Sequence, residues 1–437
     1  MKQDLTKGSI TKHLLQFTLP IILGNLFQLT YNTVDSIVIG RISGHDALAA
    51  VGTADPIMNL VILGINGICI GASVIMSNFF GAGRHEMVKK ELAALFQLAA
   101  IIITVITAVG LLFAKNILTL MNVPDEILND SAKYLRIIFW GMPFTCLYNI
   151  YASALRSIGD SRTPIIFLAI SSFLNIMLDI IFIAFLKAGV TGAASATVIA
   201  EGLSALMCII YVNLRIPMLH LRRNDFKDTS KLIKRTISYG STTALQQCSQ
   251  PIGKLLIQGV VNTLGVAVIA AFNAVGKIED FALVPERSIG DAMMTFTAQN
   301  EGAEEKKRVS DGFFRGFLLE ICYFVFICIA LLLFNHKFLG LFSTDTETIT
   351  EGTKYFAIMV FFYWMPALTN GFQGFFRGIK HMKVTLAGTI TQITVRVIFT
   401  AILVPTHGIV GIAYACAAGW AAMLMLDIPY CIHTGKV

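Results

Sequence analysis

Long apolar runs, separated by short polar segments, are the dominant pattern along the chain. Each run holds about 20 residues or more, which is the length an α-helix needs to cross the hydrocarbon core of a bilayer. We predict twelve membrane-spanning helices, at about 14–39, 47–72, 92–114, 134–155, 163–186, 190–214, 236–262, 267–297, 316–335, 353–376, 384–405 and 408–432. The pattern therefore predicts an all-α polytopic membrane protein.

The second half of the sequence repeats the first at an offset of about 221 residues. The repeated pairs include Lys133-Tyr134, which returns as Lys354-Tyr355. Two like halves that enclose a site between them are a common construction in secondary transporters. We therefore predict two pseudo-symmetric six-helix lobes: an N-lobe at 1–214, a basic cytoplasmic linker at 215–235 and a C-lobe at 236–437.

Composition supports a membrane location. Hydrophobic residues make up 55% of the chain and charged residues 14%, a balance with which a soluble fold could not cover its surface. Most of the 34 lysines and arginines fall in loops that are cytoplasmic if both termini are inside, as the positive-inside rule requires. We expect a monomeric, multi-pass protein of the plasma membrane, such as a bacterial inner membrane. The net charge of +7 then needs no nucleic-acid partner.

No nucleotide-binding sequence is present to supply energy. A nucleotide-driven pump needs G-x-x-x-x-G-K-[ST] in a soluble domain. The nearest fragment, Gly276-Lys277, lacks the upstream glycine and the following hydroxyl residue. We expect no cofactor, and either coupling to an ion gradient or passive facilitation of a small-molecule substrate.

Four acids lie within the predicted helices of the first half. They are Asp35, Asp55, Asp179 and Glu201. A charged side chain at the bilayer centre costs about 2.5–3.5 kcal/mol on insertion scales, so such a residue usually faces a cavity or a partner. Asp55 precedes Pro56 and could simply cap a helix that breaks there, and Glu201 could be a packing contact.

Asp35 and Asp179 are the better candidates for a cation site. Asn175 precedes Asp179 by four residues and therefore lies on the same face of the predicted fifth span. With a nearby hydroxyl such as that of Thr197, these oxygens would form a cage suited to a hard cation such as Na⁺. Alternatively, two close carboxyl groups would share one proton. A helix–helix hydrogen bond is the purely structural alternative.

The second half carries a cluster of charges of its own. Its members in the predicted eighth span and on spans 7 and 11 are Lys277, Glu279, Asp280, Glu286, Arg287, Asp291, Lys254 and Arg396. Either these residues form internal ion pairs that latch the lobe, or they line a cavity and bind substrate. In the second case the mixed charge favours a zwitterionic or anion-bearing substrate.

Taken together, several segments resemble the multidrug and toxic compound extrusion (MATE) family. They are the two-fold six-helix repeat, Tyr31-Asn32-Thr33-Val34-Asp35, Asn175-x-x-x-Asp179 and Gln299-Asn300-Glu301-Gly302-Ala303. The resemblance covers essentially the whole chain. It implies two lobes around a V-shaped cavity that opens alternately to each side, and export of small amphiphilic compounds such as drugs or metabolites by antiport against Na⁺ or H⁺.

The resemblance also implies roles for particular residues. The family's cation site corresponds to Asp35, Asn175, Asp179 and Thr197, and its bending proline corresponds to Pro20, for which a static kink is the alternative. Some members are proposed to use carboxylates on spans 7 and 10, yet these spans contain no acid here. We therefore expect coupling to reside in the first lobe.

Two other functions are compatible with parts of the pattern. A flippase for lipid-linked precursors belongs to the wider superfamily, but it predicts a larger, strongly basic cavity. A prenyltransferase-like enzyme would need two acid-rich motifs, whereas the repeat places Arg396 and Thr400 where Asn175 and Asp179 stand. We expect a transporter and not an enzyme.

Overall fold

The computed structural model describes residues 4–42, 44–343 and 345–436, and nearly all of them are helical. The described chain contains fourteen α-helices. They are α1 (Ile10–Ile42), α2 (His45–Gly81), α3 (His85–Leu120), α4 (Asp125–Ser157), α5 (Arg162–Asp179), α6 (Gly189–Arg215), α7 (Ser230–Val261), α8 (Val266–Ala282), α9 (Val284–Gly302), α10 (Lys306–Gly340), α11 (Thr346–Met359), α12 (Trp364–Gly378), α13 (Met382–His407) and α14 (Ile409–Thr434).

Each predicted span corresponds to one helix or to a helix pair. Span 8 is divided into α8 and α9 at Leu283, where Pro285 occupies the first turn of α9. Span 10 is divided into α11 and α12 by a 3₁₀ turn at Val360–Phe362. Proline is tolerated in the first turn of a helix but cannot donate the hydrogen bond that would continue the preceding one. The all-α polytopic fold is confirmed, with two spans interrupted.

Eight helices of the described chain are both long enough and apolar enough to cross a membrane by length and composition alone. They are α1, α2, α3, α5 with its continuation to Phe185, α6, α10, α13 and α14. The remaining predicted spans are α4 and α7, which carry more polar residues, and the two interrupted pairs. The predicted spans outside this set are therefore either more polar or interrupted.

The chain forms two compact units that differ from the predicted lobes at their boundaries. Unit 1 contains Leu23–Ala244, and unit 2 contains Asp4–Ile22 with the chain from Leu245 onward. The linker and the first half of α7 thus belong to unit 1, while the first part of α1 belongs to unit 2. Within α1, the boundary between the two units follows Ile22, two residues after Pro20, which lies inside the helix.

Close helix packing inside each unit depends on small residues. In unit 1, a Cβ added at Gly71 of α2 would overlap the backbone of Gly240 in α7. In unit 2, a Cβ added at Gly374 of α12 would overlap the backbone of Gly290 in α9. Small residues allow helix backbones to approach closely where lipid offers no hydrophobic driving force. These contacts fix the helices that carry the candidate sites.

Candidate functional site

The first candidate site lies in unit 1, where α1 and α5 bring two carboxyl groups together. Asp35 and Asp179 are close enough to share a hydrogen bond if one of them carries a proton. Asp179 is fully buried, and Asn175, one turn earlier on the same face of α5, is also buried. The structure therefore assembles the three residues that the sequence predicts as the core of a cation site.

These side chains present buried polar atoms that lack partners. Among the residues that the structure describes, both carboxylate oxygens of Asp179, Oδ1 of Asp35 and both polar side-chain atoms of Asn175 make no hydrogen bond. Buried polar atoms are normally satisfied, and an unpaired buried carboxylate is costly. The site therefore has the chemistry to take a small cation, either a hard metal ion or a proton shared between the two acids.

Tyr134 lies near this acid pair, whereas the predicted ligand Thr197 lies on α6 and has its own backbone partner. Thr197 of α6 is partly buried, and its hydroxyl donates to the Ala193 carbonyl oxygen at 3.1 Å. A hydroxyl that donates in this way keeps lone pairs that can face a cation. Tyr134 of α4 is buried and lies within electrostatic range of Asp35 and Asp179. The sequence did not single out Tyr134, although it belongs to the repeated Lys-Tyr pair.

A π-helix begins directly after Asp179. The α-helical pattern of α5 ends at Asp179, and Ile180–Phe185 continues as a π-helix. Short π segments inside helices are rare and frequently occur at functional sites. The apolar sequence of this segment gave no signal for it, because hydropathy does not distinguish the two helix types.

Asp55 and Glu201 lie outside the acid pair. Asp55 lies inside α2 one residue before Pro56, and its side chain is exposed in the structure. Glu201 of α6 accepts a short hydrogen bond from the Thr145 hydroxyl of α4. Both acids lie within electrostatic range of Tyr134, as Asp35 and Asp179 do. Four carboxyl groups of unit 1 therefore lie within electrostatic range of one tyrosine.

Unit 2 contains a second polar centre, built around Glu279 of α8. The hydroxyl of Tyr363 donates to Glu279 Oε1 at 2.9 Å, and that of Tyr355 donates to the same oxygen at 3.2 Å. Arg396 of α13 lies within electrostatic range of Glu279 and interacts with the Cys416 thiol. This centre is an internal network in which a carboxylate has two hydroxyl donors and a nearby guanidinium.

The other predicted charges of the second half separate into distinct environments. Lys254 and Asp280 form an exposed ion pair with a distance of 3.7 Å between the Nζ and Oδ2 atoms. Arg287 is exposed, whereas Glu286 is fully buried. The charges therefore do not form one continuous patch. Lys254, Asp280 and Arg287 remain available to ligands, and Glu286 is enclosed between helices.

Gln299 and Asn300 do more than end a helix. They close α9 as the sequence suggests, in a tight turn in which the Ala303 amide donates to the Gln299 carbonyl. The Gln299 side-chain oxygen also accepts a hydrogen bond from the backbone N–H of Leu5 at 3.1 Å. The side-chain amide of Asn300 donates to the backbone carbonyl oxygen of Leu5 at 3.3 Å. Leu5 is buried. These residues therefore anchor the segment that precedes α1.

A family model describes both halves of this chain. The MatE model matches residues 20–181 and again residues 243–402, which is one match for each repeat. The chain belongs to the MatE family. The two matches also confirm the internal duplication and account for the paired arrangement of helices.

Two curated relatives illustrate the functions named in this family. The chain is 29% identical over 368 residues to a probable multidrug resistance protein, YoeA, from Bacillus subtilis, covering 83% of this chain and 80% of that protein. It is 24% identical over 366 residues to an FAD transporter from Shewanella oneidensis, covering 82% and 80% respectively. Both relatives are named for drug resistance or transport.

Solved structures of MatE proteins share the fold closely. A MOP superfamily transporter from Pyrococcus furiosus superposes with a TM-score of 0.92 at 22% identity, over 98% of this chain and 97% of that one. Likeness at this identity shows the fold. That fold is one of twelve helices in two lobes.

Proposed function

We propose that this protein is a secondary antiporter that exports small amphiphilic organic compounds in exchange for Na⁺ or H⁺ by alternating access. The observation that carries the proposal is the buried, unpartnered acid pair of Asp35 and Asp179 with Asn175 beside it. An acid pair without a resident positive group needs a cation from outside. An exchangeable cation of this kind is what an ion-coupled transporter requires.

Unit 2 is proposed to contribute to substrate binding. Lys254 and Asp280 present opposite charges on an exposed surface, and Arg287 adds a further exposed positive charge. Mixed charge suits zwitterionic or anion-bearing compounds as well as organic cations. A drug-resistance protein and an FAD transporter both occur among the relatives, so the assay should include organic cations and a flavin dinucleotide.

The protein is proposed to work in the cytoplasmic membrane as a monomer with both termini inside. Support for this orientation comes from the basic linker and inner loops, which follow the positive-inside rule. Nothing in the comparisons favours a lipid flippase, and the exposed charges named above are mixed rather than uniformly basic.

Substrate efflux from proteoliposomes under separately imposed Na⁺ and pH gradients tests the proposal. We expect one of the two gradients to drive organic compound movement against its own concentration gradient. Equal, downhill movement with and without either gradient would show a facilitator and overturn the antiport assignment. Lys133→Ala, at an exposed ion pair of unit 1, is a control variant that should transport like the wild type.

A further inference from the structure

A second pair of buried acids lies in unit 2. Glu286 stands in the first turn of α9, and Glu320 lies near the middle of α10. Both side chains are fully buried. Within the described chain, none of their four carboxylate oxygens has a hydrogen-bond partner. Two glutamates in this state require a physical explanation.

Close packing of α9 against α10 brings the two acids together. Gly316 of α10 faces Met293 of α9 so closely that a Cβ at Gly316 would overlap the methionine side chain. Glu320 follows Gly316 by four residues and therefore shares its helix face. The two helices are joined by a tight turn and run in opposite directions, so this face continues towards the start of α9. Glu286 and Glu320 lie within electrostatic range of each other there.

The groups around the pair do not neutralise it. Tyr323 lies near both acids, but its hydroxyl donates to the Ala282 carbonyl oxygen at 2.7 Å, at the interruption between α8 and α9. Arg287, next to Glu286 in sequence, lies within electrostatic range of that acid, but its side chain is exposed and makes no hydrogen bond to it among the described residues. The remaining titratable neighbours in electrostatic range of Glu286 are Cys328 and Tyr363. None of these groups hydrogen-bonds to either carboxyl group among the described residues.

Two unpartnered carboxylates within electrostatic range of each other cannot both stay ionised in such surroundings. Burial disfavours each charge, and the two like charges repel each other. Two carboxyl groups also supply fewer oxygens than the six to eight typical of a hard metal ion such as Ca²⁺. We propose that Glu286 and Glu320 form a proton-binding site in unit 2, in which at least one of the two carboxyl groups is protonated at neutral pH. This site is separate from the proposed coupling site in unit 1 and does not depend on it.

Infrared spectroscopy of the protein in lipid at neutral pH tests this site without any transport measurement. Labelling the glutamate side-chain carboxyl with ¹³C identifies the carbonyl band of protonated glutamates and excludes aspartates. The difference between wild type and the double variant Glu286→Gln/Glu320→Gln should equal at least one protonated glutamate. A difference of zero would mean that both carboxyl groups are ionised, and this result would overturn the proposal.

Two controls keep the outcome interpretable. Asp179→Asn should leave the labelled band unchanged, because that acid belongs to unit 1 and is unlabelled, so failure of the antiport proposal does not affect this test. If the glutamine variants do not fold, Glu286→Asp/Glu320→Asp keeps both acids and moves the proton to unlabelled groups. A loss of at least one labelled equivalent is then expected, and an unchanged band would contradict the proposal.

Discussion

Equivalent positions of the two repeats carry opposite chemistry. Asn175 and Asp179 in unit 1 correspond to Arg396 and Thr400 in unit 2 at the offset of 221 residues. Unit 1 thus has an acid pair without a positive hydrogen-bonding partner among the described residues, whereas unit 2 has the guanidinium of Arg396. Arginine is always charged in proteins. Under the antiport proposal, the second repeat holds permanently the type of charge that the first would obtain from solution.

The hydrogen bonding near these positions also differs between the two repeats. Tyr134 in unit 1 and Tyr355 in unit 2 are related by the repeat, and each is buried beside an acidic group. Tyr355 donates a hydrogen bond to Glu279, while Asp179 accepts none from any described residue. Completed hydrogen bonding makes a polar network rigid, and incomplete bonding leaves a place for a ligand. The Asp35–Asp179 pair is thus less completely hydrogen-bonded than Glu279, which is consistent with the proposal that unit 1 exchanges the ion.

The largest effect is expected from Asp179→Asn. Removing this carboxyl group destroys the shared acid pair, so gradient-driven efflux should fall to the level of protein-free liposomes while the protein remains folded. Efflux under the driving gradient and size-exclusion chromatography measure the two properties. Asp427→Asn, which removes another fully buried carboxyl group in α14 of unit 2, should retain transport. Wild-type efflux by Asp179→Asn would remove the basis for the comparison.

Arg396→Met should affect stability strongly. The substitution leaves the half-buried Glu279 without the positive charge in its electrostatic range, and a carboxylate away from water without such compensation is costly. Thermal unfolding in detergent should therefore show a clearly lower midpoint. The double variant Arg396→Met/Glu279→Gln should recover part of the loss, because the uncompensated carboxylate is gone. A purely additive double variant would show that the two residues do not interact.

Tyr363→Phe should have an intermediate effect. It removes the 2.9 Å hydrogen bond to Glu279, and a lost hydrogen bond to a charged group costs about 1.5–3 kcal/mol. Thermal unfolding again provides the measurement. Tyr134→Phe in unit 1 is the matched comparison and should cost less, since Tyr134 donates to neither Asp179 oxygen in the described chain. Equal losses would mean that the two networks are equally complete.

Lys254→Ala should change stability least. The Lys254–Asp280 pair is exposed, and exposed ion pairs contribute about 0–1 kcal/mol. If this surface contacts substrate, the variant should weaken inhibition by flavin dinucleotide more than inhibition by an organic cation. Competition against a transported dye measures both. An unchanged ratio of the two inhibition constants would remove Lys254 from the substrate surface.

The sequence was sufficient to predict the elements of this fold. Apolar runs of spanning length located all twelve helical segments, and the offset of 221 residues indicated the duplication. The four-residue spacing of Asn175 and Asp179 correctly placed both on one face of α5, since helical periodicity is a local property. The grouping of the first part of α1 with unit 2 and of the first half of α7 with unit 1 depends on long-range packing, which a local sequence pattern does not report.

The features that the sequence missed are those that require tertiary contacts. The proximity of Glu286 and Glu320 depends on how α9 and α10 pack, and the two residues are far apart in sequence. The π-helix after Asp179 has no hydropathy signature. No sequence pattern singled out Leu5, yet its backbone hydrogen-bonds to the side chains of Gln299 and Asn300. For the two glutamates and for Leu5, a nonlocal contact determines the environment.

The exchange of segments between the two compact units has a consequence for the origin of the chain. Unit 1 includes the first half of α7, and unit 2 includes the first part of α1. A half-length ancestor would therefore have completed its fold only by exchanging the first part of its leading helix with a second copy, as in domain-swapped dimers. Gene fusion would then have made an intermolecular exchange intramolecular. Separately produced halves should accordingly recover structure only when they are combined.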